Sequence, residues 1–180
     1  MTVQTATTFT IDPVHSTVEF AVKHMMIATV RGRFGEFEGT IRFDDEDPAR
    51  SSVQAVIQSS SVDSGVAMRD DDLRSPNFLD AERYPLIRFA STAVERLDKE
   101  RWRVTGDLTL RDVTREVVLD TEFEGRGPGM EGEERIGFTA HTSINRKDYG
   151  LAYNAVVETG GLVVSDTVRI TLHVEGVAAG

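Results

Sequence analysis

Between His15 and His24 the chain alternates apolar and polar side chains almost without a break. Val18, Phe20 and Val22 share one face, His24 closes the row, and Thr17, Glu19 and Lys23 point the other way. A strand with one dry side writes this pattern. Comparable runs occur at Phe9 to Asp12, Ser16 to His24, Val30 to Asp44, Ser52 to Ser60 and Leu86 to Ser91. They continue at Arg101 to Leu110, Glu116 to Glu124, Ile136 to Ser143 and Thr167 to Glu175. Turn chemistry between the runs predicts an antiparallel barrel or sandwich. The run from Val30 to Asp44 is too long for one straight strand. Gly32, Gly35 and Gly39 predict bends or bulges in it, beside Phe34, Phe37, Ile41 and Phe43.

The period changes between Asp63 and Phe78. Asp63 or Ser64 is the expected cap of a short helix through Val66, Met68, Leu73 and Arg74, and Ser75-Pro76 discourages its continuation. A second turn, Asp80 to Tyr84, stops at Pro85. The helical insertion is therefore expected near residues 64–84. Leu73, Phe78 and Leu79 either plug or gate one mouth of a barrel, or pack on its outer wall.

At 180 residues the chain suits one domain over residues 1–180, with residues 1–7 frayed. Hydrophobic residues at 39% and charged residues at 28% are ordinary for a globular protein that folds in water. Twenty Lys and Arg against thirty Asp and Glu give a net charge of -10, which opposes binding to a phosphate backbone, so nucleic acid is not an expected partner. With no cysteine, disulfides and thiolate metal sites are excluded. The first fifteen residues hold neither a basic start nor a continuous apolar stretch, which points to the cytoplasm. No run approaches the ~18 apolar residues of a membrane helix, so stable membrane insertion is not expected.

Few segments of the chain have the residues that chemistry needs. Gly127, Gly129 and Gly132 match a phosphate-binding spacing, but no helix follows, Pro128 removes a donor, and Glu131, Glu133 and Glu134 would repel phosphate; the segment reads as a mobile loop. There is no nucleophile elbow. The four histidines His15, His24, His141 and His173 show no metal-ligand spacing, although strands could bring His24 and His141 together. Asp44 to Asp47 lacks the glycine and glutamate of a calcium loop. Two basic segments keep both readings. Asp70 and Arg74 can pair on the helix, or Arg69 at a barrel mouth can meet an anionic or carbonyl head group. Asn145 and Gly150 suit a turn, whereas Arg146 and Lys147 can face the polar end of a ligand.

Taken in order, these pieces resemble the YceI-like family, lipocalin-like proteins that bind polyisoprenoids and related lipids. The matching residues are Ile11-Asp-Pro-Val-His-Ser16, Val22-Lys-His24, Gly32 with Phe34, and Arg69-Asp70 with Leu73-Arg74-Ser75 and Phe78. Tyr84-Pro85 with Phe89 and Ser91, Gly106-Asp-Leu-Thr109, Val113-Thr114, Asn145-Arg146 with Asp148 and Gly150, and Asp166-Thr-Val168 complete the series. The resemblance implies an extended antiparallel β-barrel of about eight strands, a lipid tail in an apolar tunnel, no cofactor and no catalytic residues. Leu79 stands where the family often has a second aromatic, and Asp112 where a glycine usually precedes Val-Thr.

The expected ligand-binding residues are Val18, Phe20, Val22 and His24, then Phe34, Phe37, Ile41 and Phe43. Val56, Leu73, Phe78, Phe89, Leu110 and Phe138 join the inward set, with Arg69 and Arg146 at the polar end. The leading expectation is a non-catalytic binding protein for an isoprenoid, quinone or other long-chain amphipathic lipid, with a homodimer left open. Two others stand beside it: an enzyme acting on a lipid inside the same barrel through His24, Arg69 or Arg146, and a filled barrel with a surface role.

Overall fold

The computed structural model describes residues 6–153 and 164–179. The alternating runs become strands β1 (Thr7–Ile11), β2 (Thr17–His24), β3 (Ala28–Phe34), β4 (Phe37–Phe43), β5 (Ser52–Gln58) and β6 (Val62–Asp63). After the helix α1 (Ala67–Arg74) come β7 (Leu86–Arg96), β8 (Arg101–Leu110), β9 (Val113–Pro128), β10 (Glu134–Asn145) and β11 (Val164–Ala178). Every pairing is antiparallel, and the order β1-β4-β5-β7-β8-β9-β10-β11 closes when β11 returns to β1, with Phe9 opposite Ala178. Along β11, β1 and β2 lie end to end, and β3 and β4 lie end to end beside them. The third such pair is β5 and β6, since β6 lies beside β3 as β5 lies beside β4. The wall therefore has eight staves, three of them broken, and the ring is closed.

The long run from Val30 to Asp44 breaks at one of its three glycines. Gly35 and Glu36 separate β3 from β4, held by Gly35 N donating to Ser61 O at 3.1 Å and Gln58 N donating to Glu36 O at 2.9 Å. Gly32 and Gly39 stay inside their strands. At Gly32 the missing Cβ makes room for the ring of Phe20, its direct cross-strand partner. Gly106 on β8 does the same for Phe89. These glycines let large side chains lie flat against the wall instead of projecting across the lumen.

Other boundaries move for local reasons. Strand β7 runs on to Arg96 because a bulge at Thr92 restarts the alternation, with Ala93 opposite Thr105 and Val94 opposite Val104. The expected mobile loop after Gly125 is instead a hairpin, since β9 continues through Pro128 and Gly129 N donates to Glu133 O at 2.6 Å. Residues 1–5 of the end expected to fray lie outside the described residues, and Thr7 pairs with Phe43.

Neither Asp63 nor Ser64 caps α1, whose N-cap is Val66. Buried Asp70 instead reaches back and accepts from Ser64 N at 2.8 Å and Ser64 Oγ at 2.6 Å. Arg74 is consequently not its partner. The guanidinium donates to Ser60 O at 2.8 Å and Val62 O at 3.2 Å and meets Asp71 at 3.3 Å. Between β8 and β9 the strained position is Arg111, at φ 58°, and not Asp112. Its side chain is anchored by Phe78 O, Gly150 O and Asp80, which offsets the backbone cost.

Candidate functional site

Inward positions line up directly across the ladders. Phe37 faces Ile57, Ile57 faces Ile87, and Phe89 faces Leu108. On the far side Ala140 faces Leu172, Ile170 faces Phe20, and Val18 faces Phe34. These side chains enclose an elongated cavity of about 300 Å³ with an almost wholly apolar wall. At ~15 Å³ per water-sized group that is room for roughly twenty such groups, in the range of small-molecule sites. The lumen is therefore not filled by the protein's own atoms.

One end is shut by aromatics. Phe43 lies 5.3 Å from Trp102, 5.6 Å from Phe123 and 5.9 Å from Phe138, centroid to centroid, and Phe123 and Phe138 are 5.5 Å apart. Arg126 covers this cluster over Phe9 and Phe43, and Arg96 covers Trp102. At the other end Leu73 of α1 reaches the cavity, as do Phe78 and Leu79 from the following turn. Of the two expectations for this insertion, the structure takes the one that sets it at the mouth.

Of the residues expected inside, Val18, Phe20, Val22, Phe34, Phe37, Ile41 and Phe43 line the cavity, and so do Leu73, Phe78, Phe89, Leu110 and Phe138. Val56 does not. It sits opposite Glu38 and Arg88 on the outer parity of β5, while Ala55 and Ile57 face in. His24 has the inward parity of β2 but lies past the lining, where β2 turns, and it pairs with Ala28 and Val164. His141 is on the opposite face, its Nδ1 3.3 Å from Thr171 Oγ1, so the two histidines do not meet. Among the described residues no group of three or more His, Asp or Glu could hold a metal ion. Arg69 is half-buried on α1, one turn before Leu73, and does not line the cavity.

Arg146 borders the cavity, yet its donors are occupied. Nε donates to Ser165 O at 2.9 Å, Nη1 to Leu151 O at 2.6 Å and Tyr153 O at 2.7 Å, and Nη2 to Val164 O at 3.3 Å. Asp166 stands 3.9 Å from Nη2. Burial pulls this guanidinium below its usual pKa, with Asp166 opposing. The side chain is 2% exposed and pins two chain segments together, so it is not free to read a head group. Beside it, burial also raises the Tyr149 phenol, with Asp148 adding to the effect.

Of the β8 wall, sequence reasoning found only Leu110. Trp102, Val104 and Leu108 share its face with Gly106 and line the cavity too, and their strict alternation was the available signal. Val94 was hidden by the bulge at Thr92.

The chain's similarities agree with this architecture. A family model described as YceI-like domain matches residues 9–176. A UPF0312 protein of Yersinia enterocolitica is 38% identical over 92% of this chain and 82% of its own length. Protein YceI of Escherichia coli is 37% identical over 91% and 82%. Among solved structures, BcnA of Burkholderia cenocepacia superposes with a TM-score of 0.81 at 25% identity, covering 92% of this chain and 98% of that one. A domain of Saccharophagus degradans described as polyisoprenoid binding and implicated in plant cell wall breakdown has a TM-score of 0.70 at 19% identity, over 95% and 98%. That last likeness speaks to the fold alone.

Proposed function

The chain belongs to the YceI-like family, and on that premise we propose that it is a non-catalytic binding protein whose single domain stores or transports an amphipathic isoprenoid-type lipid, polyprenyl or quinone-like. The observation that carries this reading is the cavity of about 300 Å³, shut by aromatics at one end and bordered by α1 at the other. Burial of ~15 methylene equivalents at roughly 0.8 kcal/mol each supplies about 12 kcal/mol before ordering costs, enough for micromolar binding or better. An apolar tube grades tails by length and width. Head-group selection falls to the rim, where Arg69 supplies a guanidinium one helical turn from Leu73.

The binding reading is preferred over a catalytic one because two of the groups eligible for acid, base or anion-stabilising work are poorly disposed for it. His24 lies beyond the cavity lining, and the donors of Arg146 are taken by backbone carbonyls.

Native mass spectrometry with solvent extraction of the purified protein tests the proposal. A co-purifying or added polyprenyl lipid at one per chain is the expected result. Protein recovered empty, with no uptake of added lipid, overturns it.

A further inference from the structure

The β2–β3 hairpin ends in Met25-Met26-Ile27, which are 40%, 75% and 88% exposed. Met25 and Met26 hold φ values of 55° and 62°, and Ile27 N donates to His24 O at 3.3 Å. Two successive positive φ values are the pattern of a type I′ turn, for which Asn-Gly is the favoured pair. Methionine gains nothing conformationally there, and three adjoining apolar side chains in water carry a solvation cost. Strain and exposure coinciding on one turn point to a contact surface.

Position and charge identify the partner. His24 pairs with Val164 and Val22 with Val168, and Val22, Val164 and Val168 all line the cavity, so the tip projects just past the lining on the α1 side. From Phe20 to Gly35 there is no acidic residue, in a chain of net charge -10. Lys23, Arg31 and Arg33 are exposed on this hairpin and, among the described residues, have no carboxylate partner. The eight residues of β2, tilted as barrel strands are, carry the tip about 20 Å along the barrel, and the Debye length at physiological salt is about 8 Å. Acidic turns at the aromatic end therefore do little to oppose an anionic surface here, and of the carboxylates on the α1 side Asp70 is taken by Ser64, Asp71 by Arg74, Asp72 by Asn77 and Asp166 by Lys147.

We propose that this tip docks on the surface of an anionic lipid bilayer. Met25, Met26 and Ile27 enter the apolar boundary while Lys23 and Arg31 lie near the head-group phosphates, so lipid passes between bilayer and cavity without crossing bulk water. The proposal rests on the barrel being a lipid binder, and its test separates the two.

The variant Met25→Asn with Met26→Gly retains the turn and removes its apolar side chains. Co-sedimentation with phosphatidylcholine vesicles, with and without phosphatidylglycerol, reads docking without any cargo. Transfer of a fluorescent polyprenyl lipid from the same vesicles reads delivery, and uptake of that lipid from detergent dispersion reads the cavity alone. The variant is expected to lose about tenfold in vesicle binding and transfer rate, with detergent uptake unchanged. Lys23→Glu with Arg31→Glu is expected to abolish the preference for phosphatidylglycerol. Equal vesicle binding and transfer by native and variant proteins overturns the docking. So does a native dimer that the variant breaks while neither binds vesicles, which assigns the tip to a second copy of the chain. Vesicle binding without detergent uptake upholds docking and overturns the cavity reading instead.

Discussion

Phe20 and Gly32 face each other across the β2–β3 ladder, and the aromatic ring occupies the space where a Cβ on the glycine would stand. The lumen owes part of its width to this pair, because the ring lies along the wall. Gly32→Ala is expected to push Phe20 inward, costing roughly 1–3 kcal/mol of stability and reducing lipid uptake. Urea unfolding and a lipid titration measure the two effects, and unchanged uptake in the folded variant would show that the pair does not shape the site.

Phe20→Arg should reduce uptake far more than Lys23→Ala. The phenylalanine lines the cavity and the lysine is exposed on the outer face. Equal uptake by the two folded variants would mean that lipid binds elsewhere.

Trp102 is the only tryptophan and lies 4% exposed at the aromatic end, on the cavity wall. A lipid brominated at its tail terminus should quench its fluorescence more strongly than one brominated beside the head group. The reverse order would mean that the head enters first.

Arg146→Met removes the shared donor to carbonyls of Leu151, Tyr153, Val164 and Ser165. Losing one buried and three part-buried charge-assisted hydrogen bonds is expected to cost about 3 kcal/mol, against less than ~0.5 kcal/mol for exposed Lys147→Ala. Chemical unfolding checks the contrast. A small loss for Arg146→Met would show that the pinning contributes little.

The Asp12 carboxylate is held at about 2, below its ordinary 3.8, first by His15 at 2.8 Å and then by Arg135 at 3.0 Å. Because the folded value is depressed, the stabilisation is present above pH ~4 and is lost as pH falls towards 2. After solvent screening it is on the order of 1 kcal/mol. Asp12→Asn should flatten the acid side of the stability profile between those values, and an unchanged slope would remove the cluster from the acid response.

Much of the barrel is written in local alternation, as Val18, Phe20 and Val22 illustrate. The failures share a cause, which is that parity needs a reference outside the strand. In Ser52–Gln58 the bulky Val56 suggested the wrong face, and only the pairing of Ile57 with Phe37 fixes small Ala55 as inward. At Thr92 an extra residue resets the count, which no propensity announces. Arg146 was legible as a motif residue but not in its role, because the carbonyls it binds come from segments on either side of residues 154–163. The cavity itself was open to argument only as an expectation, since its volume depends on how rings such as Phe20 and Phe89 lie against glycines on neighbouring strands.

The seam between β1 and β11 joins Phe9 to Ala178, with Ala179 N donating to Thr8 O at 2.9 Å. These two staves are the most distant in the chain, so the ring cannot close until β11 has been made and has found β1. An enclosed lumen is therefore a late product of folding, and a new break introduced in an outer hairpin, with the old ends tethered, would change the order of assembly without changing the finished vessel.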